Sequence, residues 1–395
     1  MHHLKFILIT AKKYMHDAAR KELTSHSPNA MILSEVNNLI LRRKQLGRKR
    51  CAAQMLYNER TAEQCDPEYT NLKGEPAMKI SLLEPLGVPE NVIRDLAAPL
   101  TKAGHEFVYY DTKTTDKKEL AERSKDSDIV MIANNPYPDE VVEAAEKLKM
   151  LAVAFTGIDH VGLTACKKKG VTVCNCAGYS NETVAELAVG LAIGVLRHIR
   201  KADEAARTGG TSAGLTGREI CGRTVGIVGT GRIGIRTAQL FGAFGAKLLG
   251  FARHESQEAK AAGIRFVGLE ELLRSSDIVS LHLPLTDETR KMFGAEQFAQ
   301  MKPGAIFLNC ARGAIVDNQA LAEALNSGKI AGAGVDVFDM EPPIPEDYPL
   351  LHAKNILLTP HVAFASEESM LRRAEIEFDN VAAYLAGTPK NVCKI

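Results

Sequence analysis

The stretch Val225-Gly-Ile-Val-Gly-Thr-Gly-Arg-Ile-Gly234 decides how this chain is read. A short apolar run enters Gly229, Gly231 and Gly234, and a helical pattern follows. Strand, glycine turn and helix in that order are the setting in which G-x-G-x-x-G binds a dinucleotide. Gly229 permits the tight turn, Gly231 lets backbone approach a pyrophosphate, and Gly234 lets helix and strand pack closely. The helix opening at Arg232 and Ile233 offers free N–H groups and a positive dipole end to the phosphates. A glycine triplet alone also occurs as a plain structural turn. Its flanking strand and helix carry the weight.

Outward from this motif, a series of strands alternates with helices, near 224–228, 247–251, 278–283, 305–309, 332–337 and 356–358. An earlier series starts at Met78, with strands near 79–83, 106–110, 129–132, 151–155 and 171–174. Between them, 182–199 reads as one long, largely buried helix, and a Gly/Thr/Ser stretch around 209–217 loosens the chain. The run 367–385 reads as a last helix packing back on the first series. Alternation of this kind implies βαβ units and parallel sheets. Two α/β domains are expected: a first from 78–179 with 363–395, and a second, 180–362, inserted into it. The cleft between them is the default ligand site.

A chain of 395 residues with 45% hydrophobic content can bury one large core or two. Its net charge of +1 creates no global attraction to nucleic acid or membrane. The apolar run Phe6-Ile-Leu-Ile9 is too short for a bilayer span or a secretory signal. Eight cysteines without a C-x-x-C pair read as reduced thiols of a cytoplasmic protein, and no Cys/His cluster suggests a metal. Residues 1–77 break the pattern. They carry 13 Lys/Arg against 8 Asp/Glu, including the basic run Arg42–Arg50, and show no alternation. A localisation or nucleic-acid tail, a regulatory extension and a mis-assigned start codon compete here. The last is favoured, because Met78 opens directly on a strand and Lys73-Gly74-Glu75 can be encoded by an AGGAG-like sequence. The segment is expected to be poorly structured.

Four further patterns fall near strand ends, where open α/β sheets bind ligands. They are Leu281-His-Leu-Pro-Leu-Thr-Asp-Glu-Thr289, Asn309-Cys-Ala-Arg-Gly-Ala-Ile-Val-Asp317, Gly334-Val-Asp-Val-Phe-Asp-Met-Glu-Pro342 and Leu358-Thr-Pro-His-Val-Ala363. Leu283, Pro284, Cys310 and Ala363 in these patterns are expected beside the glycine turn as cofactor contacts. Arg312 can grip a carboxylate bidentately; the plainer alternative is a surface ion pair. His361 can shuttle a proton near neutral pH; the alternative is a structural histidine. Glu341 can orient the imidazole and stabilise its charged form, or stand exposed before Pro342-Pro343. Asp336, read as lying within a strand, needs a partner: a cofactor amide or a backbone N–H.

Together, the five ordered patterns resemble the D-isomer-specific 2-hydroxyacid dehydrogenase family, from about Met78 to the C-terminus. The resemblance implies a Rossmann domain inserted into a flavodoxin-like substrate domain, NAD(P)H as cofactor, and a homodimer. It also implies that Arg312 binds substrate, Glu341 supports the histidine, and His361 is the general acid/base. Two departures narrow the expectation. Where NAD-preferring members usually carry an Asp, this chain has Ala252 followed by Arg253, which favours NADPH over NADH. Where phosphoglycerate-oxidising relatives carry arginine, it reads Ala133-Asn-Asn-Pro-Tyr-Pro138, with Asn134 as a candidate substrate contact. The loop Thr156-Gly-Ile-Asp-His160 resembles the family's substrate-facing loop, so Thr156 and Gly157 are expected beside the acid. Glyoxylate, hydroxypyruvate or a similar 2-oxo acid is therefore expected. A phosphoglycerate dehydrogenase-type enzyme and a non-catalytic NAD(H)-sensing protein are the alternatives.

Overall fold

The computed structural model describes residues 76–340 and 343–395. The expectations for the N-terminal extension up to residue 75, for its basic run and for Glu341 lie outside the described residues.

Five strands, β1 (Lys79–Leu82), β2 (Glu106–Tyr109), β3 (Ile129–Ile132), β4 (Met150–Val153) and β5 (Thr172–Asn175), form one parallel sheet. Their order is β2-β1-β3-β4-β5, the flavodoxin-like arrangement. Every residue of β3 (IVMI) and β4 (MLAV) is buried. Such unbroken apolar runs belong to parallel strands covered on both faces. The helix Glu367–Leu385 supplies part of that cover, since Met370, Ala374, Phe378 and Val381 recur at helical spacing and join the same core. Ser366 caps its start by accepting from Ser369 N at 3.1 Å. The chain's last helix thus returns to the first sheet.

Seven strands form the second sheet: β6 (Thr224–Val228), β7 (Lys247–Phe251), β8 (Arg265–Phe266), β9 (Ile278–Leu281), β10 (Ile306–Asn309), β11 (Gly332–Val335) and β12 (Ile356–Leu358). All pairs are parallel, in the order β12-β11-β10-β9-β6-β7-β8. This is the doubly wound dinucleotide-binding order with one strand added. Its direction of winding reverses between β6 and β9, which opens a crevice at their carboxyl ends.

Three details differ from the sequence reading. The run 182–199 is two helices, Asn181–Leu196 and Ile199–Arg207, separated by His198 in the left-handed region (φ 53°). The returning chain stops the first helix: Arg218 N donates to Leu196 O at 2.9 Å, and a Cβ on Gly217 would lie 2.6 Å from that oxygen. The two-residue edge strand β8 was too short to carry a periodic signal. Asp336 stands one residue past β11 rather than inside it. Among the described residues, no helix is long and apolar enough to cross a membrane.

Candidate active site

β6 delivers the glycine turn to the crevice. Gly229 has φ +97°, a conformation that favours glycine, and its N–H donates to Phe251 O at 2.8 Å. A Cβ there would lie 2.5 Å from His282 O. Gly231 caps the helix Arg232–Ala243, and a Cβ on it would meet nothing within 4 Å. A Cβ on Gly234, by contrast, would lie 2.0 Å from Gly229 O. An open glycine edge at a helix N-terminus fits a dinucleotide pyrophosphate. Gly234→Ala is expected to push helix and turn apart at a cost of about 2 kcal/mol. Calorimetry should show nicotinamide dinucleotide affinity down at least about tenfold, the equivalent of 1.4 kcal/mol, with a lower Tm.

The turn opens on a cavity of about 370 Å³. Gly231, Arg232, Ile233 and Gly234 line one wall, and Leu283, Pro284, Cys310, Asp336 and Ala363 line others. Thr156, Gly157, Arg312 and His361 reach the same space. Gly229 is not among the lining residues. Ala252 and Arg253 follow β7 outside the lining, with Arg253 exposed. Asn134 is also outside the lining, and its Oδ1 accepts from Lys113 Nζ at 3.0 Å. Its neighbours Ala133 and Asn135 donate their N–H groups to the buried Glu84 Oε1 at 2.8 and 2.9 Å. That loop is held by its own architecture.

His361 sits at the turn after β12 with φ 56°, inside the left-handed region. Its N–H donates to Asp336 O at 2.8 Å and to Thr359 O at 3.0 Å. The Asp336 carboxylate, fully buried, accepts from the Thr359 hydroxyl and from Val362 N and Ala363 N, both at 2.9 Å. Burial pushes the Asp336 carboxyl above its ordinary value, against the pull of those bonds and of His361. Asp336 therefore braces the segment that presents His361. The imidazole stands edge-on to Phe155 and Phe364, with centroids at 6.0 and 5.5 Å. A second histidine, His282, also lines the cavity, but burial lowers its pKa to about 4. It remains neutral at ordinary pH, with Nε2 bonded to Ser280 Oγ at 2.9 Å. His361 is thus the better proton carrier of the two.

Arg312 follows β10 through a side-chain turn: Asn309 Oδ1 accepts from Ala311 N at 3.0 Å, and Asn309 Nδ2 donates to Arg312 O at 3.1 Å. Its guanidinium crosses to the first sheet. Nε donates to Asp159 Oδ2 at 3.0 Å and Nη1 to Ala311 O at 2.9 Å. A Cβ on Gly157 would lie 1.8 Å from Nη2, so the fork lies against bare backbone. The loop from Phe155 to Asp159 therefore touches both the imidazole and the guanidinium. Phe155, Asp159, Tyr179, His282 and Phe364 line the cavity without having been singled out in the sequence. Phe155, Asp159, His282 and Phe364 border or fall within quoted patterns, and that proximity was their only signal. Among the described residues, no group of three or more His, Cys, Asp or Glu is placed to hold a metal ion.

Comparison with known proteins agrees with this geometry. The family profile described as "D-isomer specific 2-hydroxyacid dehydrogenase, NAD binding domain" matches residues 189–363. A glyoxylate reductase of Korarchaeum cryptofilum is 42% identical over 288 residues, 71% of this chain and 86% of the relative. A hydroxypyruvate reductase of Blautia hydrogenotrophica is 36% identical over 300 residues, 74% of this chain and 93% of the relative. Among solved structures, an acyclic imino acid reductase in complex with NADPH and D-Arg matches with a TM-score of 0.72 and 31% identity. The match covers 80% of this chain and all of that one. With a glycine turn, an arginine and a histidine around one crevice and relatives of this extent, the chain belongs to the D-isomer-specific 2-hydroxyacid dehydrogenase family.

Proposed function

We propose that this protein reduces a small 2-oxo acid, glyoxylate or hydroxypyruvate by preference, to the corresponding 2-hydroxy acid, the D-isomer where C2 is chiral, with NADPH favoured over NADH. The observation that carries the reading is the shared cavity: Arg312 and His361 face the same space as Gly231 to Gly234. The coenzyme supplies a hydride from its nicotinamide ring. Gly231 and the helix N-terminus at Arg232 would hold its pyrophosphate. Arg312 binds the acid's carboxylate and polarises the neighbouring carbonyl. His361 gives a proton to the carbonyl oxygen as it gains charge, and takes it back in the reverse direction. Phe155, Phe364 and Tyr179 exclude water from the reacting centre. By resemblance, Glu341 supports the imidazole. The parts 78–179 with 363–395 and 180–362 are taken as substrate and cofactor domains, and a cytoplasmic homodimer as the working form.

The coenzyme preference rests on Ala252, in place of an acidic residue, and on the exposed Arg253 beyond β7. A matrix of 2-oxo acids against both coenzymes, followed at the nicotinamide absorbance, should give several-fold higher kcat/KM with NADPH. Arg253→Ala should remove that advantage. Equal use of both coenzymes would retire the preference, and absence of turnover with every acid would retire the reading.

A further inference from the structure

We infer that Asp159 sets the charge class of the acid admitted: it holds Arg312 for one substrate carboxylate and turns away a second negative charge. The inference rests on the 2-oxo acid reading above. Asp159 Oδ2 takes only the Nε–H of Arg312, at 3.0 Å, and Nη1 spends one N–H on Ala311 O. A guanidinium has five N–H donors, so three remain for a ligand. The Asp159 carboxylate is half exposed, with 48% of its side chain accessible, and itself lines the cavity.

Charge around the cavity is asymmetric. Among the described lining residues, the only Lys or Arg side chains are Arg312 and Arg232. Arg232 opens the helix after the glycine turn, and its Nη1 reaches to 3.4 Å from where a Cβ on Gly178 would sit. Lys113, the nearest cation by the Asn134 loop, is engaged by Asn134 Oδ1 at 3.0 Å and Glu84 Oε2 at 3.6 Å, and it does not line the cavity. The substrate end therefore offers one permanent cation, Arg312, with one anion attached, beside His361, whose proton is committed to the carbonyl oxygen. A monoanion such as glyoxylate pairs with the guanidinium's free N–H groups. A dicarboxylate or phosphorylated 2-oxo acid held by Arg312 brings a further negative charge towards the Asp159 carboxylate. Asp159 is thus a positioning and specificity residue. It acts through Arg312 on affinity and through its own charge on selectivity.

Asp159→Asn separates the two roles, because an amide oxygen still accepts from Nε while the charge is gone. With glyoxylate as monoanion and oxaloacetate as dianion, the oxaloacetate-to-glyoxylate ratio of kcat/KM should rise roughly tenfold in this variant. Asp159→Ala, which also frees the guanidinium, should lower kcat/KM for both acids. It should also weaken calorimetric binding of the unreactive monoanion oxamate. In the wild-type protein, raising salt should lift the same ratio by screening the repulsion, a check that needs no variant. A ratio unmoved by Asp159→Asn and by salt, in a wild-type protein that turns over glyoxylate, overturns the Asp159 assignment alone. Failure of the wild-type protein with every 2-oxo acid overturns the parent reading instead.

Discussion

His361→Ala should lower kcat for 2-oxo acid reduction by about 10³-fold, within the span expected for losing a positioned proton donor. Coenzyme affinity, measured by calorimetry, should change little, because the glycine turn and Asp336 bracing are separate from the imidazole. One complication comes from the backbone. His361 occupies the left-handed region at φ 56°, where a β-carbon costs about 1–2 kcal/mol and alanine lacks a side chain to offset it. His361→Asn controls for this, since asparagine tolerates that conformation but carries no titratable ring. Both variants should be equally inactive and should lose the pH dependence of kcat that a single proton donor imposes. Activity within a few-fold of wild type in either would remove His361 from the chemistry and leave neutral His282 no better suited.

The sequence exposed the parts of this fold that rest on local pattern. Apolar runs such as IVMI and TVGIV coincide with β3 and β6, since a parallel strand covered on both faces needs unbroken hydrophobic residues. The helix Glu367–Leu385 was legible as a helical run; its Ser366 cap was not read from the sequence. What escaped depends on contacts between distant segments. The break at Arg197–His198 is imposed by residues 217–218 returning to the helix end. The partners of Asp336 come from residues 359–363, on the next strand's turn. Asp159 reads as one more loop carboxylate until the fold brings Arg312, 153 positions later, within 3.0 Å. The same applies to Asn134: position in a strand-end loop suggested a ligand contact, whereas Lys113 and Glu84 hold that loop for structural reasons. Site types were visible as motifs; their mutual orientation was not.

Arg312→Ala should reduce kcat/KM by about 10²–10⁴-fold, raising KM and lowering kcat together. The two parameters move jointly because one guanidinium both holds the carboxylate and polarises the carbonyl, so its loss reaches ground and transition states alike. Arg312→Lys should recover little. An ammonium is a point charge and cannot reproduce a planar fork lying on Gly157, whose Cα hydrogen faces Nη2 where any larger side chain would collide. The alanine variant also leaves Asp159 facing the cavity without its partner, so part of the loss is new repulsion of the acid. Adding Asp159→Asn to Arg312→Ala should therefore restore a measurable fraction of glyoxylate kcat/KM, a coupling that two independent sites would not show. Strictly additive losses in the double variant would mean that Asp159 and Arg312 act separately, despite the 3.0 Å between them.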